Sequence, residues 1–65
     1  MKTESVMGVY WIRKRKNSEG VCTMLSDSAD GAMSAYHKWC LNSGIHVGLL
    51  DIYEKYYAEK VNVAS

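Results

Sequence analysis

His37, Cys40, His46 and Cys22 are the residues of this 65-residue sequence best equipped for metal or nucleophile chemistry. His37 and Cys40 stand three apart, a spacing that puts two side chains on one helical face. Zinc takes three or four protein ligands, and only Cys22 and His46 remain to complete a set. Neither a CxxC pair nor an HExxH motif occurs, so Cys40 reads as a small apolar filler and His37 as an edge residue. A cysteine, a histidine and a carboxylate can be drawn as a triad, but geometry rather than inventory makes one. Asp51 and Glu54, at helical spacing, read as a solvated edge. There is no glycine loop of the nucleotide-binding kinds. A chain of this length buries roughly 60% of the surface its unfolded form exposes, which leaves little protein to wall a deep cleft. The expectation is a noncatalytic protein with no metal and no cofactor.

The other concentration of chemistry is YWIRKRKNSEGV, residues 10–21. Arg13, Lys14, Arg15 and Lys16 are consecutive cations in a chain whose net charge is only +1. No global field draws such a protein to nucleic acid or to a membrane, so the signal is the local asymmetry. In an extended strand Arg13 and Arg15 project to one side, and Lys14 and Lys16 to the other. Trp11 shares the Arg13 side and Tyr10 the Lys14 side, an interleaving of aromatics and cations that would suit a small nucleic-acid site. Lysine and arginine also blunt exposed sheet ends against aggregation, and arginine beside tryptophan suits protein recognition.

There is no phenylalanine, so five tyrosines and two tryptophans supply the large-area burial. Both types carry a polar tip and suit half-buried positions and contact surfaces. Tyr53, Tyr56 and Tyr57 cannot all be covered by one helix and one sheet. As a group they point to a contact surface.

The elements that must position these residues follow from periodicity. Val6 to Arg15 is rich in strand-favouring types, with Val6, Gly8, Tyr10 and Ile12 on one face and Met7, Val9, Trp11 and Arg13 on the other. Both faces begin apolar, so alternation alone does not choose the buried one. Asn17–Gly20 supplies turn residues, with Gly20 free to take positive φ, and Val21–Leu25 reads as the returning strand of a hairpin. Ser26, Asp27 and Ser28 are capping types. From Ala29 the period becomes helical: Ala29, Ala32, Met33, Tyr36 and Cys40 share a stripe, Trp39 flanks it, and Gly44 follows as a stop. The spacing predicts a helix over about Ala29 to Asn42.

Residues 45–57 suit either secondary structure. Leu49, Ile52, Tyr53 and Tyr56 make a helical stripe, yet the stretch is dense in strand-favouring types. A lone hairpin is marginal in water, which favours a third strand starting near Ile45 over a second helix. The fold expected is α+β: an antiparallel hairpin, one helix and a third strand (ββαβ), in a single domain over residues 1–65. No signal-length or membrane-spanning apolar run is found, so both thiols are expected reduced in the cytoplasm.

With a hairpin, a helix start at Ser26–Ala32 and a trailing apolar segment, the layout over Val9–Tyr57 resembles that of small early proteins of tailed phages. These include a short ββαβ inhibitor of host RNA polymerase and a small antitoxin against a host RNA-degrading toxin. The likeness lies in element order and size and transfers no functional residue. Those proteins have marked net charge or an acidic face, whereas this chain is nearly neutral. The resemblance implies a phage- or mobile-element-encoded module that inhibits or modulates a host protein, drawn from nucleic-acid-processing machinery or from a defence or toxin system. The contact residues expected are Trp11, Arg13, Arg15, Tyr53, Tyr56 and Tyr57. The alternative is a nucleic-acid-binding module using Arg13, Lys14, Arg15 and Lys16, and a homodimer is the third possibility.

Overall fold

The computed structural model describes residues 7–61. Val6, expected in the first strand, and the ends of the expected 1–65 domain lie outside that range. Five elements follow in order: β1 (Gly8–Lys14), β2 (Gly20–Ser26), α1 (Ala29–Asn42), α2 (Leu49–Lys55) and β3 (Tyr56–Lys60). The three strands form one antiparallel sheet in the order β2-β1-β3, so β1 is central. This is a small α+β fold of the ββαβ layout with one short extra helix.

The hairpin closes through Lys14 N–H donating to Glu19 O (2.8 Å) and Ser18 N–H to Lys14 O (2.7 Å). Asn17 Oδ1 accepts from Glu19 N–H at 3.0 Å, a side-chain turn that mimics a backbone one. The left-handed residue of this loop is Ser18, at φ 60, and not Gly20 as expected. Gly20 is needed for a different reason: a Cβ there would overlap the Trp11 indole, whose ring lies against it. The β1–β2 register slips between Ile12, opposite Cys22, and Arg13, opposite Gly20, which makes Val21 the extra residue of a bulge.

Helix α1 keeps the bounds expected from its periodicity. Ser28 caps it, its Oγ accepting from Gly31 N–H at 3.0 Å, a contact worth about 1 kcal/mol in such positions. At the other end Gly44 is left-handed (φ 83), Gly44 N–H donates to Leu41 O and Ile45 N–H to Cys40 O. That pair of bonds is a Schellman closure, and it turns the chain back toward the sheet. Ala32, Met33, Tyr36 and Cys40 are buried, while Ala29 at the head of the expected stripe is exposed.

The ambiguous last third is both things in turn. A seven-residue helix runs to Lys55 and the strand starts at Tyr56, well after the expected Ile45. The helix carries Ile52 into the core, where it is 2% exposed. The switch is imposed by the sheet: Arg15 N–H donates to Lys55 O at 2.9 Å, and Tyr56 pairs with Lys14. No glycine or proline marks the boundary.

The core comprises Tyr10, Ile12, Ala32, Met33, Tyr36, Cys40 and Ile52, flanked by half-buried Cys22, Met24, Val47, Tyr53, Tyr56 and Ala58. All of its strand residues come from one face of the sheet. The helices cover that face, and among the described residues nothing covers the opposite one.

Candidate interaction surface

The open face follows from register. Trp11 on β1 lies opposite Thr23 and Glu59, Val9 lies opposite Leu25, and Arg13 lies opposite Tyr57. Side chains alternate across a strand, so these residues share the side that the helices do not cover. Leu25 is 66% exposed, Met7 59% and Trp11 39%, with Val21 similar to Trp11. Exposed Leu25 and Trp11 on one sheet face, with Met7 just before β1, gather apolar surface of the kind that marks contact sites.

Polar groups on this face are held in place before any partner arrives. The Arg13 guanidinium sits 4.5 Å from the Trp11 ring centroid, and its Nη1 donates to Ser18 O at 3.1 Å. Its Nε lies 2.9 Å from Glu59 Oε1 but makes no aligned hydrogen bond, so this contact is an ion pair only. Arg15 comes next, its guanidinium carbon 5.8 Å from the Tyr57 ring centroid and its Nε donating to Tyr53 O at 2.8 Å. Planar cations resting on aromatic rings lose little side-chain freedom when they dock. An open cleft of about 260 Å³ runs along Trp11, Arg13, Glu59, Lys60 and Val61.

Of the six expected contact residues, the structure brings together Trp11, Arg13, Arg15 and Tyr57. Tyr53 and Tyr56 pack against the core instead, and Tyr56 meets Tyr36 edge-on with centroids 5.1 Å apart. The three tyrosines therefore do not make one surface. The four consecutive cations also divide. Arg13 is engaged by Trp11, Ser18 and Glu59, whereas Lys14, Arg15 and Lys16 line a separate cleft at the end of the sheet. Leu25 and Val21 are not singled out by the sequence, because the bulge at Val21 sets the hairpin register and neither the turn residues nor the alternation reveals it.

A second apolar area, Trp39, Leu41, Ile45 and Leu50, lies on the helical side, where Leu50 is 78% exposed. Trp39 is stacked on Tyr36 at 6.0 Å. No arginine accompanies this area, and it has no comparable set of held polar groups.

The candidate chemical residues are placed otherwise. His37 Nε2–H donates to Val47 O at 2.9 Å, tying α1 to the segment before α2. Cys22 and Cys40 are free thiols on the helix-covered side. Burial, and then the Cys40 thiol beside it, pushes the Cys22 thiol up from its ordinary value, which disfavours the nucleophilic thiolate. Among the described residues no group of three or more histidines, cysteines, aspartates and glutamates is placed to hold a metal ion. No described helix is long and apolar enough to cross a membrane.

Tyr36 carries a measurable consequence. Burial raises its hydroxyl well above the ordinary 10.0, and the neighbouring Tyr56 and Cys40 add to the effect. The folded state then holds a proton that the unfolded state releases above about pH 10. Stability is present in full below that pH and falls as pH rises beyond it. Chemical denaturation between pH 8 and 11.5 should show this fall, and Tyr36→Phe should flatten it; an unchanged slope in the variant would contradict the assignment.

Comparison of the chain with protein-family models, with curated proteins and with solved structures finds no significant match.

Proposed function

We propose that this chain is a noncatalytic protein-interaction module that binds a larger protein through the open face of its sheet. The observation that carries the reading is the sheet face that the described residues leave open, where exposed apolar side chains run up to an arginine held over tryptophan. Trp11 and Leu25 supply buried area, and tryptophan and arginine are the side chains that most often dominate interfaces. Arg13 and Arg15 make charge-assisted bonds to acceptors on the partner. Tyr57 contributes from the neighbouring strand.

A contact of standard size, roughly 800 Å² per partner, would use a sizeable share of the chain's 4873 Å² surface. A domain of this size acts by occupying a site on something larger. The ββαβ layout is compatible with a phage- or mobile-element-encoded inhibitor or modulator of a host protein in the cytoplasm, and that is the role we assign. The apolar content of the face, with Arg13 beside Glu59, favours protein over nucleic acid as its occupant.

Sedimentation equilibrium separates this reading from self-assembly. A monomer is expected at micromolar concentration. A stable dimer that Leu25→Glu returns to monomer would mean the face is consumed between copies, and the partner reading would fall.

A further inference from the structure

The cations that part from Arg13 meet a fourth from elsewhere in the chain. An open cleft of about 500 Å³ lies between the end of β1 and the end of α2, lined by Lys14, Arg15, Lys16, Lys55 and Glu54. Lys55 is forty residues from Arg15, and their approach is fixed by backbone: Arg15 N–H donates to Lys55 O at 2.9 Å. Arg15 is further held by its Nε bond to Tyr53 O, a contact that does not engage its terminal amino groups. Two carboxylates bear on the cleft. Glu54 lines it, and Glu19 lies 3.5 Å from the Lys14 ammonium in an exposed pair that water and salt weaken.

We propose that this cleft binds the phosphates of a single-stranded nucleic acid, a site that adjoins the protein-binding face at Arg15 and Tyr57 and extends beyond it through Lys14, Lys16 and Lys55. Cations from two separate elements lining one trough are what a sugar–phosphate backbone requires. The Tyr57 ring beside Arg15 offers an aromatic face to an adjoining base. A strand fits better than a compact phosphate for a structural reason. Compact phosphates are cradled by free backbone N–H groups, and here the Lys14 and Arg15 amides already donate to Glu19 O and Lys55 O. What remains is a row of long, separate side-chain charges. Arg13 is outside the row, so the site is not the run of four consecutive cations that the sequence suggests.

The test is fluorescence anisotropy of a labelled mixed-sequence 12-mer of single-stranded DNA or RNA, titrated with the full chain across a salt series. Four phosphate contacts on a single strand give a slope of log affinity against log salt of about −3. Lys55→Gln should flatten the slope by about 0.7 and weaken binding at every salt concentration. Arg13→Gln should leave both unchanged. Circular dichroism and urea denaturation establish that each variant is folded.

Undetectable binding at 20 mM salt would overturn the proposal. So would a slope that responds to Arg13→Gln but not to Lys55→Gln. Full competition by pyrophosphate at its own molar equivalence would overturn it too, by showing a compact phosphate site. None of these outcomes bears on Trp11 and Leu25. Failure of the cleft and failure of the sheet face are therefore read separately.

Discussion

Replacing Ile12 by alanine is expected to remove a large share of the domain's stability, about 2–5 kcal/mol. Ile12 is fully buried in the central strand, in the same cluster as residues from both helices, Ala32, Met33, Tyr36, Cys40 and Ile52. Truncating such a side chain loses its transfer free energy and leaves a cavity, together costing about 2–5 kcal/mol. A domain of this length has roughly 3–10 kcal/mol in total, by the usual range per residue. With seven buried apolar residues in the core among the described residues, the neighbours have little freedom to close the gap. Urea unfolding should show the midpoint fall by about 2 M or more, taking a slope of about 1 kcal/mol per molar. Ile12→Val should cost only about 1 kcal/mol. A shift under 0.5 M for the alanine variant would mean that β1 is not the centre of the core.

The second large effect is on binding. Trp11→Ala should weaken the partner complex by about thirtyfold or more, equivalent to about 2 kcal/mol for a central interface aromatic. Two things are lost together: the apolar area of the indole and the platform that holds the Arg13 guanidinium 4.5 Å from its ring. Folding should change much less than with Ile12, because Trp11 is on the uncovered side. The three atoms nearest a Cβ at Gly20 all belong to the Trp11 indole, so Gly20→Ala should be better tolerated in the Trp11→Ala background than with Trp11 present. Titration calorimetry of the purified partner reads the affinity, and urea denaturation reads the fold. Equal affinity for both chains would remove Trp11 from the interface.

The contrast between Ile12 and Trp11 also shows how far the sequence is legible. Both sit in one apolar run with strand propensity on each side, so local pattern cannot say which faces the core. The choice is made by α1, α2 and β3, elements distant in the chain. Helix α1 could be read to its ends because cap, stripe and glycine stop agree within one segment. Residues 45–60 could not, because a helix and a strand are joined there without a breaker and the pairing with β1 sets the boundary. Gly20 was legible as a special position but not for its reason, since a Trp11 ring nine residues away is invisible to turn statistics. The grouping of Arg13 with Lys14, Arg15 and Lys16 fails for a like cause: Glu59 draws one of them aside and Lys55 joins the others.

A photo-crosslinking amino acid placed at Leu25, and separately at Leu50, tests most directly which side of the molecule does the work. Both positions are well exposed, one on the sheet face and one on the helical side. Irradiation of cells in which the protein acts should give one discrete heavier adduct from position 25 and none from position 50. Adducts from position 50 alone, or only self-adducts of twice the chain mass from position 25, would contradict the account.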